Sequence, residues 1–559
     1  MTWNSVLPVI LLMPLVALLL FKAYHRLRLS LAKHPSLTGH SKMSKRLARL
    51  LPYYEISAAD IFSIDRAPAA IAEQRRVGFF RLAEYFRSIS PASIELAESL
   101  EDGVSDLEFT NTYRVPFQFA RYVKSHLRLG AFVTESSGVM VKDIDDNWSY
   151  DLTGSYGVNV FGNDFYKSCI AAAVERVGNL GPVLGTYHPL VAENVQQLQQ
   201  ISGLDEVSFH MSGTEAVMQA VRLARYHTQR SKLVNFCGAY HGWWDGVQAG
   251  VGNPRKTHDV ITLSEMSQGA LDIIRSRRDI ACVLINPLQA MNPNIAAPGD
   301  STLVGSSRST CYDRAAYSRW LSRLRKACDE SGVVMIMDEV FVGFRIAPGG
   351  AQEYFGVKAD MVTYGKTLGG GLPIGVVCGR QHLMKRFREH RPADICFARG
   401  TFNSHPYVMA AMNEFLRRIQ TPEIRALYAS CEDTWNSRCQ LMNDRLAAAG
   451  LPVRLSNLGS IWTVLYTRPS RYNWMFQYYL RAQGLALSWI GTGRLIFSLN
   501  YTAADFDQVM ERVVAAATQM EQDGWWWQGP HLTSSFIKRS LAGEFLQALV
   551  RSSPRGISG

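Results

Sequence analysis

A lysine and an aspartate each follow an apolar stretch that has the character of a buried strand. Lys366 ends the run "MVTYGK", and Asp338 ends the run "VVMIMD". A lysine next to such a run seldom stays buried unless it is paired or used in a reaction. Parallel strands would bring this amine and this carboxylate to one edge of a sheet, as a structural ion pair or as part of a reactive site.

Two glycine-containing motifs add groups that can hold a flat, phosphorylated ligand. In the first, Ser212-Gly213-Thr214 leads into an amphipathic stretch, and a helix that begins there presents unpaired backbone N–H groups to an anion. The second, "FCGAYHGWWDG" at residues 236–246, places Tyr240 and His241 between glycines, where an aromatic side chain can stack on a ligand ring. Each motif alone also fits a simpler role, as a helix cap or as loop aromatics that pack on the core.

Together, these features indicate pyridoxal 5′-phosphate as the cofactor. Only an amine forms a Schiff base with its aldehyde, and desolvation lowers the pKa of a lysine such as Lys366 so that the neutral nucleophile exists. A carboxylate such as Asp338 keeps the pyridine nitrogen protonated and makes the ring an electron sink.

Short apolar runs that alternate with longer amphipathic stretches must position these groups. Crossover helices are expected at "TEAVMQAVRLARYH" and "YSRWLSRLRKACDESG", and "GVMVKDIDDNWSYDLTG" predicts a hairpin that turns at Asp145-Asp146-Asn147. This alternation of strand-like and helix-like stretches predicts an α/β fold with a mostly parallel sheet. Its strands are expected at "VSFHM", "KLVNF", "ACVLI", "VVMIM" and "MVTY".

The composition of the 559 residues, 47% of them hydrophobic, is that of a globular protein. Nine cysteines are scattered without a C-x-x-C pair, which argues against a disulfide framework and against a zinc site, so that no metal is expected. The formal charge of +11 comes largely from one segment without acids, which has neither interleaved aromatics nor a known motif, so no nucleic-acid partner is expected. The basic residues of that segment are Lys22, Arg26, Arg28, Lys33, Lys42, Lys45, Arg46 and Arg49.

The first residues favour a membrane anchor. Residues 2–21 carry no charge, are rich in Leu, Val and Ile, and precede the basic segment. We therefore expect a transmembrane anchor at residues 1–21, a single-pass membrane protein, and a catalytic domain on the cytoplasmic side, where positive charge accumulates. A cleaved signal peptide is the rival interpretation, but a positive start and a small-residue cleavage pattern are missing.

Five stretches in order resemble class III pyridoxal-phosphate aminotransferases, and most closely their glutamate-1-semialdehyde aminomutase-like branch. The stretches are "SFHMSGTEAVMQAVRLAR", "GAYHGWWDG", "MDEVFVGFR", "GKTLGGGLPIG" and "RGTFNSHPYVMAA". The resemblance covers about Tyr113 to Gln522 and implies a fold type I transferase, with a mostly parallel large domain and a smaller α+β domain. We expect a basic and helical region at 22–110, the N-terminal part of the small domain at 111–165, the cofactor-binding large domain at 166–404, the C-terminal part of the small domain at 405–522, and a Trp-rich amphipathic tail at 523–559.

The resemblance also implies roles for single residues. Lys366 would carry the cofactor as a Schiff base and Asp338 would hold the pyridine nitrogen, so both are expected to be catalytic. Val340 and Tyr240 would lie on opposite faces of the ring. The remaining cofactor-binding candidates are Ser212, Gly213 and Thr214 at the phosphate, His241 beside Tyr240, Gln289 near the ring hydroxyl, and Thr401.

Three further implications concern the subunits and the substrate pocket. Thr401 resembles a threonine that reaches the phosphate of the neighbouring subunit, which implies a homodimer with shared sites. Asn286 stands where the family usually has an acid, which leaves the amino donor open. Ser155 and Tyr156, in "GSYGVNVFGND", are candidate substrate residues, although the histidines that often follow this turn in the family are missing.

The expected reaction is amino transfer from an amino-acid donor to an aldehyde or ketone, with a lipid-like or carrier-bound intermediate of a specialised biosynthetic pathway as the hypothetical acceptor. One alternative is intramolecular amine transfer of the glutamate-1-semialdehyde 2,1-aminomutase type, and another is a catalytically inactive, cofactor-binding membrane scaffold. The tail from Trp525 to Arg551 can form a helix with one apolar side, which fits either a membrane interface or packing on the catalytic domain.

Overall fold

The structure is a computed structural model that describes residues 3–35, 37–107, 109, 115–256, 258–288, 312–488 and 494–552, the side chains of residues 3–12, 38 and 552 excepted. Its helices are α1 Trp3–Leu31, α2 Ser41–Leu50, α3 Ala69–Ile89, α4 Pro91–Leu100, α5 Phe117–His126, α6 Asn163–Val177, α7 Leu190–Ser202, α8 Gly213–Thr228, α9 Gln268–Ser276, α10 Arg314–Ser331, α11 Gly350–Phe355, α12 Gln381–Met384, α13 Pro406–Arg418, α14 Pro422–Ala429, α15 Cys431–Ala448, α16 Phe476–Ala482, α17 Ala503–Gln522 and α18 Ser534–Ser552. Its strands are β1 Val133–Ser137, β2 Met140–Asp143, β3 Trp148–Asp151, β4 Glu206–His210, β5 Lys232–Phe236, β6 Val260–Leu263, β7 Ile280–Ile285, β8 Val334–Asp338, β9 Met361–Gly365, β10 Gly375–Gly379, β11 Phe387–Arg388, β12 Arg391–Ile395, β13 Val453–Leu458, β14 Ile461–Tyr466, β15 Leu485–Ala486 and β16 Arg494–Ile496.

The centre of the fold is a seven-stranded sheet in the order β4-β10-β9-β8-β7-β5-β6. Strands β6, β5, β7, β8 and β9 are paired in parallel, whereas β10 runs antiparallel to both β9 and β4. The mostly parallel sheet and its strands are therefore confirmed. Since β10 is the single reversed strand of this described sheet, the carboxyl ends of β4, β5, β8 and β9 face the same edge.

Both faces of this sheet are covered, which explains the apolar strand sequences. All six residues of β7 are buried, and so are all five of β8 and of β9. Helix α8 turns its small apolar side chains, among them Ala216, Ala220 and Ala224, toward the core, so that its backbone lies close to the sheet.

Three smaller sheets of the described chain lie outside the central one. The predicted hairpin is present as β2 and β3, and its turn is fixed because Asp143 Oδ1 accepts hydrogen bonds from the backbone N–H groups of Asp145 and Asn147. Strand β15 pairs with β3 in parallel, so a late segment of the chain completes an early sheet. Strands β13, β14 and β16 form the second of these sheets, and β11 and β12 pair as the third.

Helix α1 begins in the predicted anchor and continues through Lys22, Arg26 and Arg28. Within the described parts of the chain, no helix is long and apolar enough to cross a membrane. The prediction of a transmembrane anchor at residues 1–21 is therefore not supported within the described residues. The side chains of residues 1–12, the first part of the predicted anchor, lie outside the described residues.

The C-terminal tail packs against the rest of the chain, as the second of its two interpretations predicts. Trp525 and Trp526 are buried, and their indole N–H groups donate to Tyr479 Oη and Asn473 Oδ1 at 2.7 and 2.9 Å. Helix α18 is joined to the same region by the ion pair between Glu544 and the buried Arg471.

Candidate active site

A cavity of about 510 Å³ opens where the carboxyl ends of β4, β5, β8 and β9 meet. Eight residues singled out from the sequence line it together, although they are spread over more than 150 positions of the chain. They are Ser212, Gly213, Thr214, Tyr240, His241, Asp338, Val340 and Lys366. The parallel strands bring them together, since each of the four segments leaves the sheet at the same edge.

Asp338, the last residue of β8, is buried and fixed on both carboxylate oxygens. Thr363 Oγ1 and the backbone N–H of Val340 donate to Oδ1 at 3.0 and 3.2 Å. His241 Nδ1 donates to Oδ2 at 2.7 Å. A carboxylate held in this way has a fixed orientation and can pair with the positively charged nitrogen of a bound pyridine ring.

Lys366 follows β9 and begins a short 3₁₀ turn, Lys366–Gly369, with a left-handed φ of 47°. Burial lowers the pKa of its amine, Asp338 acts in the opposite direction, and the Arg345 guanidinium lowers the pKa further. The ammonium group lies 5.7 Å from the centre of the Phe341 ring. The side chain therefore has the lowered basicity that a reactive amine needs near neutral pH.

The start of helix α8 has the form of an anion cradle. Ser212 Oγ accepts a hydrogen bond from the Glu215 backbone N–H, while Glu215 Oε2 accepts one from the Met211 backbone N–H. This reciprocal cap fixes the first turn and points its remaining backbone N–H groups along the helix axis into the cavity.

Close backbone approaches around this helix start fit a bound phosphate and ring. A Cβ on Gly213 would lie 2.6 Å from Val340 Cγ1, and a Cβ on Gly242, whose φ is +85°, would lie 2.5 Å from Thr214 Oγ1. His241 Nε2 is buried and has no hydrogen-bond partner among the described residues. The helix start can hold the phosphate, the glycines let the backbone come close to the ligand, and the buried His241 nitrogen is left for a polar group of the ligand. The residues present therefore fit pyridoxal phosphate.

Three other predicted residues are not among those that line the cavity. Ser155 and Tyr156 are exposed, at φ values of 46° and 56°, in a turn beside the cavity, and Val158 from the same segment lines the wall instead. Thr401 is exposed, so its predicted contact with a neighbouring subunit stays a prediction. Gln289 lies outside the described residues.

Asn286, which departs from the family pattern, has a local structural role. Its amide Nδ2 donates to the Tyr240 carbonyl at 3.3 Å, and its Oδ1 accepts from the Leu288 backbone N–H at 3.0 Å. A carboxylate at this position could not donate to that carbonyl, so the asparagine fixes the Tyr240 loop in a way that an acid does not.

Sequence reasoning missed several lining residues. Phe341 and Leu372 lie inside motifs that the sequence did single out, so their proximity to Lys366 could have flagged them. Arg494, on β16, comes from the far end of the chain, and no local signal in the sequence indicates that it lines the cavity.

Comparisons with known proteins agree with this geometry. The family model described as "Aminotransferase class-III" matches residues 122–517. The glutamate-1-semialdehyde 2,1-aminomutase of Alkaliphilus oremlandii (strain OhILAs) is 33% identical over 311 residues, which cover 52% of this chain and 68% of that protein. The enzyme of the same name from Geotalea daltonii is 30% identical over 373 residues, which cover 63% and 81%.

Solved structures give the same match in three dimensions. One described as a transaminase with PLP bound has a TM-score of 0.62 at 25% identity, and the match covers 77% of this chain and 99% of that one. A glutamate-1-semialdehyde aminomutase from Pseudomonas aeruginosa PAO1 has a TM-score of 0.64 at 18% identity, with 80% and 99% covered, and it supports the fold alone.

Proposed function

This chain belongs to the class III aminotransferase family, and we propose that it moves an amino group from an amino-acid donor to an aldehyde or ketone acceptor. The fold type I transferase fold, pyridoxal phosphate as the cofactor and the aminotransferase class of enzyme are confirmed by the family match and by the structural relatives. The residue roles below and the substrates are proposals.

Each residue has a separate task in this reaction. The cofactor, when bound, supplies an electron sink that weakens the C–H bond beside the substrate nitrogen. Lys366 Nζ would take up and return that proton, because its lowered pKa leaves the amine able to act as a base. Asp338 would hold the proton on the ring nitrogen, and the first turn of α8 with Thr214 would bind the phosphate.

The proposal of an apolar acceptor rests on the side chains that line the wall of the cavity. These side chains are largely hydrocarbon and aromatic, and among the described residues that line the cavity Lys366 and Arg494 are the lysine and the arginine. The apolar side chains that line it are Val158, Met211, Val217, Leu288, Val340, Phe341, Leu372, Pro373 and Ile374. Trp243 is 73% exposed and extends this surface toward solvent, which suits a lipid-like or carrier-bound carbonyl compound.

An acceptor series tests this proposal. The enzyme loaded with pyridoxal phosphate would be given ¹⁵N-alanine or ¹⁵N-glutamate together with linear aldehydes of increasing length, and label in the amine product would be measured by mass spectrometry. Each buried methylene contributes about 0.8 kcal/mol, so kcat/KM should rise about fourfold per carbon until the wall is filled. A preference for the shortest aldehydes would contradict the apolar acceptor.

Intramolecular amine transfer is the second candidate, and the names of the curated relatives favour it. Glutamate 1-semialdehyde given to the loaded enzyme without any donor would then be isomerised. Conversion only in the presence of a labelled donor, with the label in the product, would favour aminotransfer.

We also propose that two copies share their sites through Thr401. Hybrids of a Lys366→Ala subunit with a Thr401→Ala subunit test this, because a threonine that acts in the partner's site would leave one complete site in each hybrid. The purified hybrid should then have about half of the native activity, whereas a threonine that acts within its own subunit predicts no recovery.

The location of the protein stays a prediction, and we propose a membrane surface facing the cytoplasm rather than a membrane span. Support comes from α1, where Met13, Leu20 and Phe21 are 68%, 65% and 61% exposed, and from the basic residues of α2. Cell fractionation of the full chain and of a chain without residues 1–50 tests this, and equal distribution of the two would contradict it.

A further inference from the structure

Among the described residues, three arginines are almost completely enclosed by the protein, and one of them has an unusual environment. Arg75 and Arg471 are paired with Asp65 and Glu544, respectively. Arg345 is 1% exposed and forms no ion pair within the described residues. Burial lowers the pKa of its guanidinium to about 10. A buried cation without a direct ion-pair partner is costly, so its position calls for a reason.

The four hydrogen bonds of Arg345 join two distant parts of the chain. Nη1 donates to the Phe497 carbonyl at 2.7 Å and to Ser460 Oγ at 3.0 Å. Nη2 donates to the Asn159 carbonyl at 2.7 Å and to the Gly157 carbonyl at 3.5 Å. One branch of the planar guanidinium therefore holds the C-terminal part of the chain, and the other holds the segment before α6.

The segment held by Nη2 contains a turn that is disfavoured on its own. Residues Gly154, Ser155, Tyr156 and Gly157 have consecutive left-handed φ values of 51°, 46°, 56° and 97°. Two of the four carry a Cβ, which makes this conformation unfavourable for them. The surroundings must therefore hold the turn in place.

The same turn lies directly against the lysine of the active site. A Cβ on Gly157 would come 2.8 Å from the Phe341 ring and 3.2 Å from Lys366 Cδ. Any displacement of the turn thus changes the space in which the lysine side chain moves. Because Arg345 also lies close enough to lower the pKa of Lys366, geometry and charge act at the same place.

We propose that Arg345 is a positioning residue whose forked guanidinium clamps the turn Gly154–Gly157 against Lys366 by bridging it to Ser460 and Phe497. The inference rests on the proposed role of Lys366 as the reactive amine. A lysine at position 345 would keep the positive charge but would lack the two-branched donor, so it would not replace the arginine.

Hydrogen exchange of the turn tests the clamp directly. The amides of Tyr156, Val158 and Asn159 are bonded within the segment and should exchange slowly while it is held. Arg345→Met and Arg345→Lys should each speed this exchange at least tenfold. Arg471→Met, which removes another enclosed arginine, should leave it within twofold of the native rate. Ser460→Ala, which removes one bond, should give an intermediate increase and serves if the other variants do not fold.

A spectroscopic readout on the lysine completes the test. Mixing apo-protein with pyridoxal 5′-phosphate and following the absorbance of the bound cofactor should show at least fivefold slower attachment in both Arg345 variants, and no change in Arg471→Met. Three results would each overturn the inference. They are a native hydrogen-exchange rate of the turn in Arg345→Met, a return of the native exchange rate in Arg345→Lys, and an increase of this rate in Arg471→Met as large as that in Arg345→Met. Borohydride reduction of native enzyme that leaves Lys366 unmodified would instead reject the proposed function, while the exchange result would stand.

Discussion

Gly213 allows close packing against Val340 in the proposed cofactor site, and a single methyl group there should weaken cofactor binding. The Cβ of Gly213→Ala would lie 2.6 and 3.0 Å from the two γ-carbons of Val340, whereas carbon atoms in contact normally stay about 3.5–4.0 Å apart. Val340 lines the cavity, so a displaced Val340 takes up space that the ring needs.

The size of the effect follows from the cost of overpacking. An added methyl in a tightly packed place costs about 1–3 kcal/mol, which corresponds to a roughly 5- to 150-fold weaker Kd. Alanine is also favoured over glycine in a helix by up to about 1 kcal/mol, which offsets part of the loss in folding stability. We therefore expect a well-folded variant with weakened affinity for pyridoxal phosphate.

Fluorescence titration of apo-protein with pyridoxal 5′-phosphate gives the Kd, and thermal unfolding gives the stability. Gly543→Ala, at a helical glycine whose Cβ would meet nothing within 4 Å, is the matched control and should bind as the native protein does. Adding Val340→Ala to Gly213→Ala should restore part of the affinity by removing the obstructing methyl groups. Native affinity in Gly213→Ala, or no recovery in the double variant, would refute the packing argument.

Three further changes have expected outcomes. Lys366→Ala should bind the cofactor without covalent attachment, so that borohydride reduction adds no pyridoxyl mass at residue 366, and a pyridoxyl mass on any other peptide would contradict the assignment. Burial raises the pKa of Glu265 from 4.5 to about 8, so its contribution to stability is complete below pH 4.5 and is lost as pH rises to about 8. Glu265→Gln can still accept the hydrogen bond from Tyr317 Oη. The substitution should flatten the pH dependence of the free energy of unfolding, and the change at pH 8 should be at most about 5 kcal/mol. A variant that keeps the native slope of this free energy against pH would contradict the prediction. Glu544→Ala leaves the buried Arg471 without its ion-pair partner and should cost about 3–5 kcal/mol of folding free energy, whereas Glu389→Ala, at an exposed position, should cost little; equal effects would remove the ion pair as the cause.

The chemical identity of the site could be predicted from short stretches of sequence. Lys366 and Asp338 stand at the ends of apolar runs, and Ser212-Gly213-Thr214 precedes an amphipathic helix, so strand ends and helix start could all be located from periodicity. A parallel sheet then requires that these ends share one edge, and the cavity lies at that edge. Residue types and their local spacing were enough because each group depends on its own strand or helix.

The remainder depends on contacts between segments that are far apart in the chain. Arg494 reaches the cavity from a strand near the C-terminus, and Arg345 holds a turn by joining it to residues more than 300 positions away. The packing of Trp525 and Trp526 likewise depends on partners in another element, so their apolar character alone fitted two interpretations. Periodicity records which face of an element is apolar, but only the tertiary structure decides what covers that face, because the pairing of distant surfaces is set by shape and hydrogen bonding across the whole fold.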